Sequence, residues 1–298
     1  MRLRLLLFVF AVANSLSGVS QQYFHKEIPP GNYSGICCIG DELYAVVDDK
    51  ADEDGFYVFR LQTDTVQNKI TKVENMGYRS SGFPNRDMEG VCYRRATNTL
   101  YVSGETDNEV YEYTIDGRRT GRQLQVPDCF KAARRNLGIE SLTYDETAHR
   151  FYITTERTLP GDTLLRIETF GDNLKPVFQY LYKPDKPISK NHYYGVAEMC
   201  ATGDGRLLVM ERQVKVPRMK IGATTVIRIY SVKPLRDKLL EKTLVYEMKT
   251  HLTLANNNFA NYEGMVYLGG NKCLLIADSQ YRHSGVLRDW FQIVELNN

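Results

Sequence analysis

Five segments of this 298-residue chain repeat one pattern, and the repeat constrains the fold more than any other feature. They are YSGICCIGDELYAVVDD (33–49), MEGVCYRRATNTLYVSGE (88–105), IESLTYDETAHRFYITTE (139–156), VAEMCATGDGRLLVMER (196–212) and YEGMVYLGGNKCLLIADS (262–279). In each, an acid or serine opens a short apolar strand. A turn rich in Gly, Asp or Asn follows, and a second strand ends in an acid. The opening residues are Ser34, Glu89, Glu140, Glu198 and Glu263, and the closing ones are Asp49, Glu105, Glu156, Glu211 and Asp278. Two further strand-like runs come after the pair, at 109–116 and 122–127, at 164–170 and 176–182, and at 224–232 and 242–248. Four short strands per unit, with units starting 51 to 65 residues apart, mark the blades of a β-propeller.

The fifth unit supplies only three strands, at 263–268, 273–277 and 289–296. YFHKEI (23–28) is expected to be its fourth, closing the ring so that no sheet edge stays open. The expected fold is all-β: one propeller domain over 21–298, with five blades of four antiparallel strands and six blades as the alternative. Residues 1–20 read as a signal peptide. Arg2 and Arg4 precede an apolar run from Leu5 to Val12, and Gly18-Val19-Ser20 offers a cleavage point. That run is shorter than the roughly 20 residues of a spanning helix. The expected location is therefore periplasmic or extracellular, with no membrane span.

Lys and Arg number 38 against 36 Asp and Glu, and the first 20 residues hold two of the arginines. The remaining chain is neutral, which argues against a nucleic-acid partner, because phosphate backbones demand a clustered positive excess. A monomer is expected. The six cysteines (37, 38, 92, 129, 200 and 273) form no C-x-x-C, and five lie in strand-like runs. They read as buried free thiols, Cys129 in its loop being the exception.

In a propeller the first strand of a blade lines the central channel and the second returns antiparallel, so opening and closing residues meet at one mouth. Ser34, Glu89, Glu140, Glu198 and Glu263 are the expected metal ligands. Asp49, Glu105, Glu156, Glu211 and Asp278 form a second ring at the mouth. Clustered carboxylates cannot all stay ionised unless a cation joins them. Carboxylate and hydroxyl oxygens in a loose ring suit calcium. Repeated glutamates could equally bind backbone amides of the next blade, and the sequence leaves both roles open. DDKADEDG (48–55) does not fit an EF-hand, since Lys50 stands where the first Asp belongs.

Basic residues crowd the loops of the same mouth. Arg157, Arg212 and Arg282 are candidate ligands for a small anionic, phosphorylated partner; Arg157 and Arg212 directly follow acids and could instead pair with them. Known catalytic signatures are missing. GNYSG (31–35) is not G-x-S-x-G, RHSG (282–285) stands alone, and no H-E-x-x-H or P-loop occurs, so no catalytic residue is assigned.

The block YGVAEMCATGDGRLLVMER, the N-Y-E-G at 261–264 and the other repeats resemble the phytase-like family, also described as esterase-like activity of phytase, over nearly the whole of 21–298. That resemblance implies an exported bacterial β-propeller and a phosphoester hydrolase. The Ser34-plus-glutamate pattern is more distantly similar to five-bladed calcium-dependent apyrases, where Ser and Glu at blade starts hold calcium. Two functions follow as expectations: a calcium-dependent phosphoester hydrolase, or a non-enzymatic ligand- or partner-binding propeller with a structural metal.

Overall fold

Burial in each repeat falls away from the channel axis, as stacked blades require. The third repeat opens on a strand buried at every position, Ile139–Asp145, and ends on Pro176–Tyr182, whose first three residues are exposed. The computed structural model describes residues 21–297 except 219, 236–237 and 254–256. In chain order its strands are β1 (Gln22–Tyr23), β2 (Tyr33–Gly40), β3 (Leu43–Asp48), β4 (Glu53–Asp64), β5 (Lys69–Pro84), β6 (Met88–Arg94), β7 (Thr99–Gly104), β8 (Glu109–Thr114), β9 (Arg119–Gln123) and β10 (Ile139–Asp145). They continue with β11 (Arg150–Thr155), β12 (Leu165–Phe170), β13 (Pro176–Tyr182), β14 (Tyr193–Ala201), β15 (Leu207–Lys215), β16 (Thr224–Val232), β17 (Lys242–His251), β18 (Asn261–Gly269), β19 (Lys272–Asp278) and β20 (Trp290–Glu295).

These strands form five four-stranded antiparallel sheets, β2 to β5, β6 to β9, β10 to β13, β14 to β17, and β18 to β20 completed by β1. The five-bladed propeller is thereby established and the six-bladed alternative set aside. Each interface between neighbouring blades holds its own apolar cluster. Between blades one and two, for example, Val47, Phe56 and Val58 meet Met88, Leu100 and Val102. Burial of such side chains stabilises by about 1.5–3 kcal/mol each, so the core is a ring of five interlocking patches.

The closing strand is shorter than the sequence suggested. Only Gln22 and Tyr23 pair with β20, after which the chain turns, with Glu27 and Ile28 donating to the Phe24 carbonyl at 3.1 Å. The turn follows from burying Ile28 against blade one, which a continued outer strand could not do. Gln22 also clamps the two blades: its side chain donates to the Ile70 carbonyl at 2.8 Å and accepts from the Ile70 amide at 2.7 Å. The outer strand of blade two lies at Arg119–Gln123, earlier than 122–127, because buried Leu124 ends it and Pro127 leads into a short 3₁₀ turn. All six cysteines are free. No helix among the described residues is long and apolar enough to cross a membrane.

Candidate functional site at the channel mouth

Every inner strand carries a register irregularity at the same place in its repeat. The pairing slips between Tyr33 and Gly35, Met88 and Val91, Ile139 and Ser141, Val196 and Glu198, and Tyr262 and Gly264. A bulge re-aims a side chain out of the sheet alternation. The irregular stretches contain Ser34, Glu89, Glu140, Ala197 and Glu263. The strands are so close here that a Cβ on Gly35 would stand 2.3 Å from the Glu89 carbonyl oxygen, which is why glycine follows Ser34.

The register explains where the sequence-selected acids go. Tyr33 pairs with Asp48, Tyr262 with Ala277 and Val196 with Glu211, so blade four presents Ala197 and Arg212 where other blades present an acid or Ser34 and a closing acid. Glu198 and Glu211 each lie one residue out of frame. Glu198 is buried farther along the channel, where it accepts from the Ser141 hydroxyl at 2.7 Å and the Met199 amide at 2.9 Å. It lines a separate cavity of about 170 Å³ with Cys37, Cys92 and Cys200. Burial raises its pKa well above the usual range. Glu211 accepts from the Tyr182 hydroxyl at 2.6 Å and pairs with Lys242 at 2.6 Å, away from the channel. Ser34 is buried and donates to the Asn32 carbonyl at 3.3 Å.

The remaining candidates do converge. Glu89, Glu140 and Glu263 join Asp49, Glu105, Glu156 and Asp278 around a mouth cavity of about 520 Å³, with Lys50 and Arg212 as its cations. Arg212 is the centrepiece. Its guanidinium lies 3.2 Å from Glu140 and 3.1 Å from Glu156, contacts Glu263, and donates to Asn261 at 3.1 Å. Lys50 bridges Asp49, at 2.9 Å, and Asp87. Seven carboxylates therefore face two cations in a mostly buried space.

The imbalance shows in individual groups. Glu89 is 8% exposed, yet its carboxylate has no hydrogen bond or ion pair with any described residue. Burial raises its pKa well above the usual range, reinforced by Glu140, Asp49 and Glu105. Burial also raises Glu140, Asp49 and Asp278. Glu105 is pushed up to about 7, chiefly by burial, although the Gly138 amide donates to it at 2.8 Å. Two buried oxygens, Asn32 Oδ1 and Asp49 Oδ1, have no hydrogen-bond donor among the described residues, although the Asn32 side chain lies against the Asp49 carboxylate and helps to hold its pKa down. Asp49, Asp87 and Glu89 each offer an oxygen within 4.8 Å of the others. Unpaired acceptors beside clustered carboxylates fit a hard divalent cation.

Of the three arginines selected for anion binding, only Arg157 makes no ion pair with a carboxylate among the described residues. Arg212 is consumed by the acids, and Arg282 pairs with Asp289 while donating to the carbonyls of His25 at 3.1 Å and Ile28 at 3.0 Å. Sequence reading missed Asn32, Asp87 and the central position of Arg212. Aligning the repeats on their apolar residues rather than their acids would have put Arg212 in the ring.

Among solved structures the chain is similar to a luciferin-regenerating enzyme, at 10% identity and a TM-score of 0.49, covering 94% of this chain and 97% of that one. It is also similar to a streptogramin B lyase (11%, TM-score 0.43, 93% and 98% covered) and to a structure of the nidogen/laminin complex (11%, TM-score 0.45, 91% and 86% covered). Comparison with curated proteins gives no match. The phytase-like family, described as esterase-like activity of phytase, matches residues 28–280, most of the five-bladed ring just described, and the chain belongs to that family.

Proposed function

We propose that this protein is an exported, calcium-dependent phosphoester hydrolase working at the acidic mouth of its channel. The observation that carries this reading is the excess of seven carboxylates over two cations, with Glu89 buried and unpaired among the described residues. Asp49, Asp87 and Glu89, with Asn32 on the same wall, would hold the ion once Lys50 swings away. A bound divalent cation supplies Lewis acidity toward a phosphoryl oxygen and offsets its charge.

The chain's own groups supply the rest. Glu105 stands outside that ligand set, and a carboxyl raised to about 7 is matched to taking a proton from water near neutral pH. Its Oε1 is fixed by the Gly138 amide, leaving Oε2 free for the water. Arg212 holds Glu140, Glu156 and Glu263 in place and offsets part of their negative charge.

The test is phosphate release from phytate, nucleotides and an aryl phosphate, in calcium and then in EDTA. Turnover is expected in calcium alone, and Glu105→Gln should lower kcat by about 10²- to 10⁴-fold. Absence of turnover from folded, calcium-binding protein would refute the hydrolase and leave a ligand-binding propeller with a structural metal.

A further inference from the structure

A second recess, of about 340 Å³, lies beside the acidic mouth between blades three and four. Its walls are the loop after β11, residues 157–163, and the segment after β13, residues 183–187. Four cations line it: Arg134, Arg157, Lys183 and Lys186. Among the described residues none of the four has a carboxylate partner.

The acids of the recess, in contrast, are all engaged. Asp162 pairs with Arg166 at 2.6 Å. Asp185 is held by Arg228 at 3.0 Å, Lys242 at 2.8 Å and the Tyr230 hydroxyl at 2.6 Å. Glu156 faces Arg212 and accepts from the Tyr193 hydroxyl. The recess thus carries a surplus of positive charge directly behind a wall of surplus negative charge.

Arg157 is also pre-set. Its guanidinium lies 4.3 Å from the Tyr193 ring centre and 4.5 Å from that of Tyr194, and its Nε donates to the Tyr194 carbonyl at 2.8 Å. The two terminal nitrogens remain unbonded. A planar donor pair fixed in this way matches two oxygens of a tetrahedral oxyanion, at a lower ordering cost than a free side chain. Four unpaired cations exceed what one carboxylate would neutralise, and they suit a phosphate or a linked pair of phosphates.

We propose that this recess is a binding site for a phosphate-class anion, with Arg157 as its bidentate donor and Lys183, Lys186 and Arg134 as supporting charges. Since Glu156 lines both spaces, an anion here would lie next to the acidic mouth. Its use as the anchor for a non-reacting phosphate of the substrate rests on the hydrolase reading; binding of the anion does not.

The experiment is calorimetric titration of the protein with inorganic pyrophosphate and phosphate in EDTA, with phenyl phosphate and acetate as competitors. Saturable binding is expected, tighter for pyrophosphate than for phosphate and undisturbed by acetate. Arg157→Ala should weaken it at least tenfold, and Arg157→Lys, which keeps the charge but loses the fork, should weaken it less. Lys183→Ala should weaken it about threefold and flatten its salt dependence. Glu89→Gln should leave it unchanged while impairing the acidic mouth, so the two proposals fail separately. No pyrophosphate binding, equal competition by acetate, or an unaltered affinity in folded Arg157→Ala would each overturn the site. Competition by phenyl phosphate supports access by an ester, whereas exclusion of phenyl phosphate would overturn the anchoring role.

Discussion

Arg212 decides what the mouth of this channel can be. One guanidinium reaches glutamates on three strands or strand ends, at Glu140, Glu156 and Glu263, and all four groups are largely buried. Burying a charge is tolerated only when it is paired, and removing one partner leaves the others uncompensated. Arg212→Met should therefore cost about 3–5 kcal/mol. For a chain of this size that lowers Tm by roughly 10 °C. Thermal melts of the variant at pH 7 check this, and Arg212→Lys should lose less. An unchanged Tm would mean that the three glutamates are already protonated or otherwise satisfied.

The strand pattern was legible in the sequence because it is set by alternation and turn chemistry, which are local. The five blades and their inner pairs follow from it. Glu89, Glu140 and Glu263 were legible for the same reason: each directly follows the last residue paired before the slip, Met88, Ile139 or Tyr262. Glu198 and Glu211 were misplaced because a bulge changes facing by one residue, and acids alone do not reveal the frame. Arg157 was legible as a candidate for anion binding, but its tyrosine stack was not, since the stack depends on β14 folding beside it. The closing strand shows the same limit, because its length is set by the burial of Ile28 in another blade. Deleting residues 21–28 removes β1, the Gln22 clamp on Ile70 and the buried Ile28. The truncated protein should melt at least several degrees lower and expose the edge of β20, seen as aggregation on size-exclusion chromatography. A truncated form that stays monomeric with unaltered Tm would show that the ring closes without this strand.

At the scale of the whole molecule, the propeller concentrates like charge where five strands meet. Burial pushes Glu105 up to about 7 and raises Glu89, Glu140 and Asp278. A carboxyl whose pKa is raised in the folded state binds protons more tightly there than in the unfolded chain. The stability it contributes is complete below the ordinary carboxylate range and is lost as pH rises through the raised value. In EDTA, Tm should therefore fall between pH 5 and pH 8. A divalent cation replaces those protons, so calcium should recover most of the loss at pH 8 and change little at pH 5. A flat profile in EDTA would contradict the electrostatic account.

The most direct measurement is calorimetric titration of calcium into the protein and its Glu89→Gln variant at pH 7.5. Glu89 is buried at the mouth without a partner among the described residues, and the variant removes its capacity to ionise with almost no change in shape. The account predicts one saturable site that releases protons on binding, with affinity weakened roughly tenfold or more in the variant. Equal affinity in the two proteins, or no binding in either, would contradict the claim that the acidic mouth is a cation site.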